Sequence, residues 1–146
     1  MTSPQLENLA KSGSIKVEPA SAREIERLLR LARVRLADAQ KRQNAFESRF
    51  DLAYSASHAA ALAALRWHGY RSENRYLVFQ CLQHTLGVEA AFWRVLSLCH
   101  ERRNRAEYEG DFEVDEQLLA DLIRIAKMVL DKAQGLGPPG ETPQTK

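Results

Sequence analysis

No apolar run in this 146-residue chain approaches the ~18 residues that a membrane-crossing helix needs, because Arg, His or Glu interrupts each one. Neither sign of charge prevails either: 21 Lys and Arg stand against 19 Asp and Glu, a net charge of +2. That balance excludes the general basic field of a nucleic-acid wrapper, so any contact with nucleic acid must be local. Cysteine is nearly absent. Cys81 and Cys99 are too few for a disulfide framework and both fall within apolar helical patterns, so they read as buried thiols. With no signal-peptide pattern at the start, the expected setting is the reducing cytoplasm. Also missing are a Gly-rich phosphate loop, a Ser-His-Asp order and a carboxylate metal cluster, which argues against the familiar nucleotide-loop and metal enzymes; no cofactor and no metal are expected. Cys81 with His84 and Cys99 with His100 offer two ligands of each kind, but not at a structural-zinc spacing. There is no period-two alternation and no internal repeat, so no strand is expected.

What the chain does have is helical periodicity in a composition that is 45% hydrophobic, enough for one globular domain. Residues 1–20 read as a short helix and connector, with Ser3 before Pro4 at the start and Gly13 as the stop. Residues 21–134 read as a helical bundle, and the Gly/Pro-rich residues 135–146 as a disordered tail. Within the bundle, Ser21 and Glu24 suit a capping box. Ile25, Leu29, Ala32 and Leu36 follow at helical spacing, and this helix is expected to run to about Gln43. A second helix is expected from near Ser48 to Gly69. Its seven alanines between Ala53 and Ala64 permit close helix approach, which makes it the central one. A shorter helix, Tyr76 to Leu86, is closed by Gly87. Val88 to about Glu107 carries Phe92, Leu96 and Cys99 on one face, and Gly110 and Asp111 break it. The last helix starts near Asp115 and buries a stripe of Leu118, Leu122, Ile125, Val129 and Ala133, widened by Leu119, Ile123 and Ala126. The fold class is therefore all-α, an up-and-down bundle of four to five main helices.

One stretch departs from the pattern of a bland helix end: CHERRNRAEYEG, Cys99 to Gly110. Arg103 continues the face of Phe92, Leu96 and Cys99, which aims a guanidinium inward or into a cleft. His100, Asn104 and Tyr108 recur at i, i+4 and i+8, so three hydrogen-bonding side chains lie along one line. With Arg103, His100 and Asn104 form a candidate phosphate holder. The same residues also fit a solvated helix end, with Glu101 paired to Arg105, Glu107 paired to Arg103, and Tyr108 capping the core. Elsewhere, His58 and the Trp67-His68 pair read as satisfied core or groove residues. Arg23, Arg27 and Arg30, with Arg33 nearby, make a basic line that suits RNA phosphates or a plain solvated face.

RNRAEY resembles the signature of HEPN domains, an all-helical family in which an Arg, usually followed by a polar residue, precedes a His by about four to six positions on the penultimate major helix. SRFDLAYSASHAAALAALRWHGYRSENRYLVFQCLQHTLG is similar to the helical region before that motif in bacterial members. The resemblance covers about Ser21 to Ala133. It implies an RNA- or nucleotide-phosphate-binding domain of a toxin-antitoxin or defence system, acting as a homodimer. In active members the motif cuts RNA without a metal. The positions here that match are Arg103, Asn104 and Tyr108, so the catalytic His is replaced by Tyr. A phenol with a pKa of about 10 is a poor base at neutral pH, whereas imidazole at about 6.5 is well matched. A degenerate ribonuclease is the implied reading, unless His100 substitutes. Members that accompany a small nucleotidyltransferase carry a Tyr just after the motif, where this chain has Gly110. The alternative is a non-enzymatic helical module that partners another protein such as a nucleotidyltransferase.

Overall fold

The computed structural model describes residues 3–139. Helix α1 (Pro4–Lys11) starts where Ser3, in an extended conformation, accepts from the amides of Gln5 and Leu6, with Pro4 at the first helical position, where no amide hydrogen is needed. Leu6, on its inner face, is fully buried. Helix α2 (Ala22–Ala39) begins at Ser21, whose hydroxyl accepts from the Glu24 amide at 3.2 Å. Only half of the expected capping box forms. The Glu24 carboxylate does not return to Ser21; it pairs with Arg66 and Arg71 instead. The helix also stops four residues before Gln43. Asn44 donates to the Asp38 carbonyl and Arg49 to the Ala39 carbonyl, at 2.8 and 2.7 Å, so side chains satisfy the acceptors of the last turn.

Helix α3 (Phe46–Trp67) starts two residues before Ser48, after Ala45, with no side-chain cap. All seven of its alanines between Ala53 and Ala64 are buried, and α2 and the final helix α7 (Glu116–Gln134) both pack against it. Small side chains thus let two neighbours approach one central helix, and α3 is hydrophobic nearly all round, as a core helix must be. The expected single helix after it divides at Cys81 into α4 (Arg75–Gln80) and α5 (Leu82–Thr85). There the His84 amide reaches back three residues, to the Cys81 carbonyl, at 2.8 Å, which tightens the turn. Asn74 caps α4 by accepting from the Leu77 amide at 3.1 Å.

Helix α6 (Ala90–Glu109) ends on Gly110, whose φ of 70° is the left-handed conformation that glycine adopts without a Cβ clash. Leu96 and Cys99 are buried as expected, but Phe92 is only half-buried and Trp93 takes the inner position in its place. In α7, capped by Asp115, the buried stripe is Leu119, Leu122, Ile125, Ala126, Val129, Leu130 and Ala133. Leu118 and Ile123 lie at its margin. The architecture is an all-α bundle of four long helices, α2, α3, α6 and α7, with three short ones.

Two strands correct the expectation of none. β1 (Lys16–Val17) and β2 (Tyr70–Arg71) pair antiparallel, Lys16 opposite Arg71 and Val17 opposite Tyr70. Two residues are too few to display an alternation, so the pair leaves no trace in the sequence pattern. It is held by Arg66, 1% exposed, which donates to Glu24 and to the carbonyls of Glu18, Pro19 and Tyr70 at 2.7–3.2 Å. Of the expected disordered tail, residues 140–146 lie outside the described residues, and the Gly137 carbonyl accepts from the Trp67 indole at 3.0 Å. No helix among the described residues is long and apolar enough to cross a membrane.

Candidate functional site

The site grows from two helices that face each other across the bundle. On α3, Asp51, Tyr54 and His58 stand at i, i+3 and i+7, hence on one face. On α6, His100 and Asn104 stand one turn apart. The Tyr54 hydroxyl lies 2.7 Å from His100 Nδ1, and the Asn104 amide nitrogen lies 3.3 Å from His100 Nε2. A neutral imidazole meets both contacts, one ring nitrogen donating and the other accepting. His100 is therefore clamped at both nitrogens, as a neutral imidazole. Its pKa lies below the usual value, first because of burial and then because of the cations of Arg75 and Arg103. Burial also raises the phenol pKa of Tyr54.

Arg75, from the start of α4, and Arg103, from α6, place their guanidinium carbons 5.7 and 5.3 Å from the centre of the Tyr54 ring. Both are within range of a cation–π contact. Arg103 also pairs with Glu107 at 3.4 Å, whereas Arg75 forms no ion pair among the described residues. The two charges reach further: burial, then Arg75, His100 and Arg103, bring the His58 pKa down to about 4. Two cations around three rings leave the cluster positive. The counterweight is on the Arg103 side, where a concavity of about 360 Å³ holds Asp51 and Glu107. Burial raises the Asp51 carboxyl pKa, with Glu107 adding to that and Arg103 opposing it.

Of the residues singled out in the sequence, the fold brings His100 and Asn104 into one hydrogen-bonded chain with Tyr54. Arg103 stands beside them over the Tyr54 ring. Tyr108 does not join. It is 78% exposed, because the last turn of α6 projects past the core, and so it does not cap the core as the solvated-end reading expected. The ion pairs of that reading do form, Glu107 with Arg103 and Glu101 with Arg105, the latter at 3.5 Å. Tyr108 instead lines a concavity of about 710 Å³, together with His100, Asn104 and Tyr76. The i, i+4, i+8 line thus runs along one wall, while Arg103 opens onto the other side of the helix.

Sequence reasoning missed Tyr54 and Arg75. The signal available was the i, i+3, i+7 placement of Asp51, Tyr54 and His58 amid alanines, polar groups that an alanine-rich core helix has no need of. Away from this cluster, burial lifts the Cys81 and Cys99 thiols to about 11 and about 12, so neither is a nucleophile at neutral pH. Arg23, Arg27 and Arg30 are exposed on α2, and Arg33 is tied to Glu26 at 2.9 Å. Among the described residues no group of three His, Cys, Asp or Glu is placed to hold a metal ion. No family model, curated protein or solved structure matches the chain.

Proposed function

We propose that the chain is a HEPN-like domain that binds the phosphate of RNA or a nucleotide at the Arg75–Tyr54–Arg103 cluster. The observation that carries the reading is that two guanidinium groups stand close to the centre of one tyrosine ring, at 5.7 and 5.3 Å, and that Arg75 makes no ion pair among the described residues. A phosphate seated there gains charge-assisted hydrogen bonds from both groups. His100 and Asn104 then act as positioning residues that fix Tyr54 between them. The resemblance of RNRAEY to the family motif supports the same assignment, and with it a homodimer formed across α6 and a place in a toxin-antitoxin or defence system.

Binding without cleavage is the form of the function that the geometry favours. Acid–base chemistry needs a group free to take and return a proton near the operating pH. Both nitrogens of His100 are engaged, and the Tyr108 phenol stands in solvent away from the two guanidiniums. The chain is accordingly a degenerate member of a metal-independent ribonuclease family. A second reading, a module for a protein partner such as a nucleotidyltransferase, draws on the exposed Tyr76, Leu98 and Tyr108 around the 710 Å³ concavity, since tyrosine is enriched where partners dock.

The test uses single-stranded RNA and the full chain in EDTA, comparing wild type with Arg103→Ala, Arg75→Ala and Tyr108→His. Wild type is expected to bind RNA in a salt-sensitive manner, and each Arg variant to bind at least about tenfold more weakly while remaining folded. Unchanged affinity in both Arg variants sinks the phosphate site and leaves the partner module. Cleavage by wild type that survives chelator and is lost in Arg103→Ala makes the site catalytic.

A further inference from the structure

A second cavity, of about 400 Å³, lies between α1 and the α4–α5 segment. Its lining contains no Asp, Glu, Lys or Arg, in a chain with 40 such residues (21 Lys and Arg plus 19 Asp and Glu). Its one titratable ring, His84, has a pKa lowered by burial. An ionised group seated here meets no counter-charge, so the cavity favours an uncharged moiety, whatever charge the rest of the ligand carries outside it. The volume falls within the range of small-molecule sites. Four carboxamides line it, those of Gln5, Asn8, Gln80 and Gln83; Gln5 accepts from the Ser3 hydroxyl at 2.7 Å, and the other three make no side-chain hydrogen bond among the described residues. Leu9, Leu77 and Cys81 supply apolar surface beside them.

We infer that this cavity is a binding site for an uncharged nucleobase, whether from a free nucleoside or from a base of an RNA strand. A carboxamide presents a donor and an acceptor side by side, the same arrangement that the edge of a base presents, and the two pair in a bidentate manner. The apolar wall accepts the ring face. The cavity shares no lining residue with the arginine cluster, so the inference does not depend on the phosphate reading. Its binding is insensitive to salt and indifferent to a phosphate on the ligand.

The experiment titrates the ¹⁵N-labelled full chain with adenosine, guanosine, cytidine and uridine, and with the matching monophosphates, at low and high salt. At least one nucleoside is expected to shift the side-chain amide signals of Asn8, Gln80 and Gln83 saturably, with equal affinity for its monophosphate and at either salt. Gln80→Leu is expected to weaken binding about tenfold, and Arg103→Ala to leave it unchanged. Gln83 is exposed, so Gln83→Leu carries the same test if Gln80→Leu fails to fold. The inference is overturned if no nucleoside gives saturable shifts, if the folded Gln variants bind as wild type does, or if glucose shifts the same signals equally. Binding of monophosphates alone, lost at high salt and in Arg103→Ala, also overturns it and assigns recognition to the arginine cluster.

Discussion

His100 is the residue on which the proposed phosphate site turns. Its imidazole sits below its usual pKa because burial disfavours the cation and because Arg75 and Arg103 repel it. A phosphate dianion seated between those guanidiniums cancels the repulsion and adds an attraction, leaving burial alone against protonation. The His100 pKa is therefore expected to rise when inorganic phosphate or a mononucleotide binds, and by linkage binding tightens as pH falls through that range. Histidine ring signals followed by NMR against pH, with and without ligand, report this directly. A His100 midpoint that stays in place at saturating ligand places the anion elsewhere. Residue-level chemistry was partly legible in the sequence. Arg103 stands out in the sequence because it continues an apolar face, and His100 and Asn104 because they recur one turn apart on the face beside it. Arg75 does not, because at a helix start it looks like any exposed cation; only the fold carries it to Tyr54.

At the scale of elements, caps and periodicity located the helices where a side chain dictates the end. Ser21, Asn74, Asp115 and Gly110 each terminate a helix through their own hydrogen bonds or φ. Where the end is set by tertiary contacts the pattern misleads: α2 stops early because Asn44 and Arg49 take its last carbonyls. The same holds for Arg66, which reads as a stray charge near the end of an alanine-rich helix. Burial of a guanidinium is tolerated only with its donors satisfied, and its partners come from α2, β2 and the connector after β1, none of which the local sequence reveals. Arg66→Met is expected to lower stability by about 3 kcal/mol, the order seen when one partner of a buried ion pair is removed. A urea midpoint within error of wild type would mean that the network contributes nothing net. The loss should be accompanied by faster amide exchange at Tyr70 and Val17, because Arg66 holds the strand pair to the bundle.

For the whole molecule, acid sensitivity follows from where the four histidines lie. His58, His68, His84 and His100 all have pKa values below the usual one, in each case chiefly through burial. The unfolded chain takes up protons near pH 6.5 while the folded chain resists them, His58 down to about 4. Between those values the unfolded state binds more protons, so stability is complete above about pH 6.5 and is lost as pH falls. Asp51, with its raised pKa, works in the opposite direction. The Glu24 pKa is pushed up by burial, yet the pairing with Arg71 and Arg66 outweighs this and the net shift is downward. Its contribution is therefore lost only below its ordinary value of 4.5, outside the histidine window. Taking His58 alone, stability at about pH 5 is expected to be on the order of 2 kcal/mol below that at about pH 7.5. Urea unfolding at the two pH values measures the difference, and His58→Leu should shrink it by removing the group that resists its proton most. Equal stability at both pH values, or a variant that loses as much as wild type, would show that acid enters the fold by another route. Arg75 and Arg103, which add to burial in lowering the His58 pKa, are the same two proposed to hold phosphate, so saturating ligand should lessen the pH dependence by the part that they contribute and leave the part due to burial.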